Sequence, residues 1–110
     1  MSTTRGTIRV GSGGWVFPPW RGTFYPKGVR QADELGFASR HVTAIEINGT
    51  FYRLQNAASY KKWHDGSPDG FVFSLKGSRV ITHRNDLAGA APFVARFFDS
   101  GMAELGPKLG

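Results

Sequence analysis

From Val42 to Asn48 the chain alternates: Ala44, Glu46 and Asn48 fall on one side of an extended backbone, Ile45 and Ile47 on the other. The β-branched residues in this run predict a strand. A second run, Phe71-Val72-Phe73-Ser74-Leu75-Lys76, sets Val72, Ser74 and Lys76 on one face against Phe71, Phe73 and Leu75 on the other. In both, one face stays apolar while the other turns polar toward the C-terminal end. Thr7 to Ser12 predicts a further strand at the start of the chain, stopped by Gly13-Gly14.

Helical spacing fills the gaps. Between Arg30 and Arg40, Leu35, Phe37 and Ala38 supply an apolar side, with Gly36 costing about 1 kcal/mol relative to alanine. Asn56 is placed to cap a helix carrying Ala57, Ala58, Tyr60, Lys61 and Trp63, which Asp65-Gly66-Ser67-Pro68 ends. Leu87 to Phe98 predicts a third helix with Phe93, Val94, Phe97 and Phe98 on or near one side and Pro92 near its start. The segment from Trp15 to Pro26 contains three prolines and cannot be regular helix. Gly77 to His83 reads as a loop, and Glu104 to Gly110 as a connector.

The order β-α-β-α-β-α predicts an α/β fold of parallel strands joined by right-handed crossovers. It matches the first three βα units of a TIM-barrel-like fold, and the chain stops before such an architecture closes. An uncovered edge on the third strand would then invite self-association.

Composition narrows the function. A chain of 110 residues accommodates one modest core, and 40% hydrophobic with 14% aromatic residues argues for a globular unit. The absence of cysteine excludes disulfides, thiolate metal sites and cysteine nucleophiles. No signal-peptide or membrane-length apolar run occurs, which gives a cytoplasmic expectation. The net charge of +6 favours anionic partners, but the basic residues are scattered, with Lys61-Lys62 the only adjacent pair. A small polar or anionic ligand is therefore preferred over nucleic acid as partner.

If strand ends gather as in a barrel, Glu46 and Lys76 meet at one mouth, as general acid or base, as ligand contacts, or as a structural ion pair. Asn48 ends its strand where it can orient a ligand oxygen or serve a turn. Phe51 and Tyr52 read as packing, with the Tyr52 hydroxyl also available to a ligand, and Arg53 offers a planar fork to an anion or a surface salt bridge. His83 follows the third strand, where a barrel enzyme places functional groups. His41 and His64 fall elsewhere, so a metal role is poorly supported. Gly11-Ser12-Gly13-Gly14 lacks both the GxGxxG spacing and the lysine of a phosphate loop, and no cofactor is called for. Trp15, Trp20, Phe24 and Tyr25 form an aromatic wall that either stacks a ligand or covers the core.

Several of these residues occur together in a recognisable order. Gly11-Ser12-Gly13-Gly14-Trp15, Pro19 to Pro26, Glu46 to Arg53, Lys76 and Ile81-Thr82-His83 together resemble the YecE-like family of domains of unknown function, DUF72. The family's fold resembles a TIM barrel of about 250 residues, which implies that residues 1–110 are the N-terminal part of a single barrel domain. Family members continue with a fourth strand and a Gln-Leu-Pro-Pro segment. The chain departs from the pattern at Phe17, commonly tyrosine, and at Gly49, commonly serine, so two hydroxyls are missing. Glu46, Asn48, Thr50, Tyr52, Arg53, Lys76 and His83 match. The resemblance implies a barrel that binds a small polar or phosphorylated ligand, or an enzyme of unknown reaction, incomplete in this chain.

Overall fold

The computed structural model describes residues 5–84 and 86–110. Its centre is a three-stranded parallel sheet in the order β1 (Gly11–Gly13), β2 (Ala44–Ile47), β3 (Val72–Leu75). Gly11 lies beside Ala44 and Gly13 beside Glu46, while Ala44 pairs with Val72 and Ile47 with Leu75. The α/β order read from the sequence is thus present, with each strand flanked by helix.

The first strand is shorter than the predicted 7–12. Its ladder opens only at Gly11, and Ile8 and Val10 stay 88% and 68% exposed. Val10 is tied to β2 by another route: its N–H donates to Thr43 Oγ1 at 2.7 Å, and its carbonyl accepts from Thr43 N at 2.8 Å. At Gly11 the backbones approach so closely that a methyl group would overlap Ala44 O. Only glycine permits that approach.

Helix α1 (Gln31–Ala38) falls inside the predicted span. Two short helices that no periodicity announces follow strand ends, α2 (Gly49–Tyr52) after β2 and α4 (Arg79–Thr82) after β3, the latter in a stretch expected to be loop. Between them lies α3 (Ala57–Asp65), whose N-cap Asn56 accepts from Ser59 N at 2.9 Å, as its sequence position predicts. Helix α5 (Ala91–Phe98) begins with Pro92 in its first turn and buries Phe97, but Phe98 points to solvent.

The C-terminal connector is instead a docked segment of 3₁₀ turns from Met102 to Lys108. Met102 and Leu105 are buried, and the Lys108 ammonium donates to His64 O at 2.6 Å and Ser67 O at 2.7 Å, closing the C-terminal end of α3. A left-handed Gly101 makes this docking possible, because a Cβ there would stand 2.6 Å from the Ala57 backbone. Beyond Lys108, Leu109 bridges Phe73 in parallel and Gly110 N donates to Phe73 O at 2.7 Å, so the outer edge of β3 is met by the chain's own end.

Helices cover one face of the sheet. Ile45, Ile47 and Phe73 are buried there, and Leu35, Ala38, Tyr60 and Leu105 complete the same core. The opposite face carries Gly11, Gly13, Ala44, Glu46, Val72 and Ser74 and is covered by no helix. The acid in β2 is therefore not a burial cost: Glu46 is exposed.

Candidate functional site

Two side chains stitch the C-terminal ends of the three strands together. Asn48 Nδ2 donates to Gly13 O at 3.0 Å, joining β2 to β1, while Gly14 N donates to Glu46 O at 2.8 Å. The buried Thr50 hydroxyl lies 2.8 Å from Ile47 O and 2.7 Å from Lys76 O, sharing its single proton between β2 and β3. These links set Glu46, Asn48 and Lys76 at one end of the sheet. Thr50 was legible only as part of the family pattern, although a hydroxyl three residues beyond Ile47 is well placed to bond back to its carbonyl.

Phe51, half-buried on α2, gathers the groups beyond β3. The Lys76 ammonium stands 4.5 Å from its ring centroid, within reach of the ring's negative face, and the His83 imidazole packs edge-on at 5.0 Å. His83 Nδ1 also lies 3.1 Å from Thr82 Oγ1. Tyr52 packs edge-on to Phe51 at 5.0 Å, with its ring largely exposed. Lys76 thus turns toward the aromatic ring, and Glu46 takes part in none of the ion pairs found among the described residues. A depression of about 330 Å³ lies over Gly11, Gly13, Ala44, Glu46 and Ser74 on the open face.

The acid that is fully buried is Glu34 on α1. Arg21 grips it with both prongs of its guanidinium, Nε to Oε2 at 3.0 Å and Nη2 to Oε1 at 3.2 Å, which raises the arginine above its ordinary pKa. Sequence reasoning passed over Glu34. Its spacing from Ala38, one helical turn, was the available signal.

Trp15, Trp20 and Tyr25 occupy the helix-covered side. Trp15 meets Trp63 and Phe73 edge-on, Trp20 packs on Phe17 and Phe24, and Tyr25 is fully buried with its hydroxyl donating to Trp15 O. Of the sequence candidates, these three pack on the core layer, with Trp15 also lining a cleft of about 290 Å³ beside Asn48, while Glu46, Asn48, Lys76 and His83 gather at the strand ends. Tyr52 and Arg53 border a separate cleft with Arg96 of α5. Among the described residues no three metal-ligating side chains converge. A cleft of about 610 Å³ runs between α1 and α3 past Trp15, Trp63, Asp33 and Lys62, away from Glu46, Lys76 and His83.

The sequence profile of a family described as a protein of unknown function, DUF72, matches residues 9–110. The UPF0759 protein YunF of Bacillus subtilis (strain 168) is 28% identical over 104 residues, covering 93% of this chain and 35% of the relative. The chain thus spans about a third of that relative's length. A crystal structure of a DUF72 family protein from Enterococcus faecalis V583 superposes with a TM-score of 0.57 at 22% identity, covering 68% of this chain and 29% of that one. At that identity the likeness speaks for the fold. No helix among the described residues is long and apolar enough to cross a membrane.

Proposed function

The chain belongs to the DUF72 family, and from that premise we propose that it supplies the opening βα units of a TIM-barrel-like domain whose strand ends bind a small polar ligand. Glu46 presents a carboxylate, Asn48 an amide, Lys76 an ammonium and His83 an imidazole. The observation that carries the reading is the pair of cross-strand links, Asn48 to Gly13 and Thr50 to Lys76, which hold these chemically different groups at one end of the sheet. Active groups of α/β barrels gather at that end of the strands. Lys76 and His83 are both exposed and share the Phe51 ring, which keeps an ammonium and an imidazole together within reach of a bound ligand. Glu46, exposed and outside any ion pair among the described residues, is available to accept hydrogen bonds from ligand hydroxyls.

Thermal unfolding tests the proposal. The chain and its Glu46→Gln and Lys76→Ala variants are melted against sugars and carboxylic acids, without phosphate esters. A true ligand at a hundredfold excess over its Kd stabilises by about 2.7 kcal/mol. Such a rise in the unchanged chain, reduced in both variants, is the expected result. Compounds that raise all three melting temperatures equally, or none that raises any, would overturn it.

A further inference from the structure

Four arginines that follow or neighbour the short helices after β2 and β3 play no part in the ligand site proposed above. Arg53 leaves α2 and Arg96 projects from α5, and both line a cleft of about 180 Å³ whose wall also includes Tyr52, Ser78 and Phe93. Neither guanidinium is in an ion pair or side-chain hydrogen bond found among the described residues, and no carboxylate lines the cleft. Arg84 extends the positive field: its guanidinium lies 5.2 Å from the Phe93 centroid, with that of Arg96 at 6.0 Å from the same ring. Arg79 follows Ser78 directly in sequence. The Ser78 hydroxyl accepts from Val80 N, which leaves its own proton for another acceptor.

We infer that this cleft is an oxyanion subsite that takes a phosphoryl group, gripped between the Arg53 and Arg96 guanidinium forks. Two arginines that line one small space, with guanidinium groups unpaired among the described residues, repel each other, and an anion between them relieves that repulsion while forming charge-assisted hydrogen bonds. Arginine matches the geometry of phosphate oxygens, the Tyr52 and Ser78 hydroxyls can add neutral donors, and Phe93 holds two of the guanidinium groups in place. The size restricts the occupant: the volume is below the roughly 300 Å³ at which pockets begin to enclose whole ligands, so it accommodates a charged group and not an entire nucleotide. The subsite stands on different residues from the Glu46 and Lys76 end of the sheet and does not depend on it.

Calorimetric titration of the full chain with inorganic phosphate and with phenyl phosphate, at fixed ionic strength in chloride, tests this. Binding in the millimolar range or tighter is expected, weakened about tenfold by either Arg53→Gln or Arg96→Gln, lost in the double variant, and partly kept by Arg96→Lys. Arg30→Gln, at an exposed arginine paired with Asp33, controls for net charge and should bind like the unchanged chain. Arg96 is exposed on α5, so its variants are expected to melt as the parent does, which separates lost binding from lost folding. Glu46→Gln and Lys76→Ala should leave phosphate binding intact; loss in Lys76→Ala would move the anion to the strand ends and overturn the proposal. It is equally overturned if phosphate does not bind, or if Arg30→Gln weakens binding as much as Arg96→Gln does.

Discussion

At the scale of single residues, the structure separates groups that carry the fold from groups left available. Glu34 and Tyr60 belong to the first set, Glu46 to the second. Tyr60 is fully buried, and its hydroxyl finds no hydrogen-bond partner among the described residues, while the nearby Ser100 hydroxyl donates to Phe97 O at 2.6 Å. Burial pushes the Tyr60 phenol above its ordinary 10.0, and does the same at Tyr25. The sign follows: a neutral acid whose pKa is higher folded than unfolded contributes stability that is present below pH 10 and is lost as pH rises through the folded value. Tyr60→Phe should therefore be neutral or stabilising by about 1 kcal/mol at pH 7, and should soften the decline above pH 10. Urea unfolding at pH 7 and at pH 10.5 checks both, about half a unit past the free phenol. A loss of 2 kcal/mol or so at pH 7 would mean the hydroxyl is satisfied after all. Glu46 was legible from parity alone, because alternation fixes which face a strand residue takes. Its availability was not, because nothing local in the sequence says that Lys76 turns to Phe51.

At the scale of elements, what holds the site is the joining of strand ends. Strands, caps and the main helices follow from local pattern: Asn56 caps α3, Pro92 sits in the first turn of α5, and Ile45 and Ile47 face the helices. The four-residue helices α2 and α4 were not legible, because one turn has no period to detect. The connector was misread for a different reason. Its docking depends on a left-handed Gly101 and on Lys108 reaching residues more than forty positions earlier, both tertiary facts. The aromatic loop has the same origin, since proline and tryptophan content marks it as irregular without saying which face of the sheet it covers. Thr50 tests the joining of β2 to β3 directly. Thr50→Val keeps the shape but strips the hydroxyl from Ile47 O and Lys76 O, and should cost about 1 to 3 kcal/mol by urea unfolding, with Thr50→Ser recovering most of it. Hydrogen exchange should accelerate first at Lys76, whose amide donates to Ile47 O at 3.3 Å. An unchanged stability in the valine variant would assign the joining to the strands alone.

At the scale of the whole molecule, the chain is a slab. Its principal extents are 49 × 46 × 25 Å, and its radius of gyration of 16.0 Å exceeds the roughly 13 Å of a compact domain near this length. One layer of helices on one face of a sheet accounts for the thin dimension, since packed layers are spaced about 10 Å apart. Parallel sheets ordinarily have both faces covered. The face bearing Gly11, Gly13, Ala44, Glu46, Val72 and Ser74 is the exception here, with mostly small or polar side chains where the helix-covered face is aromatic and aliphatic. That contrast, together with three parallel strands and the family match, supports the barrel reading. Ligands are expected to engage the polar strand ends and not the larger aromatic cleft between α1 and α3. Amide chemical-shift mapping by NMR, with the compound that raises the melting temperature most, tests it most directly. The predicted shifts fall on Gly13, Asn48, Lys76 and His83; shifts confined to Trp15, Asp33, Lys62 and Trp63 would contradict it.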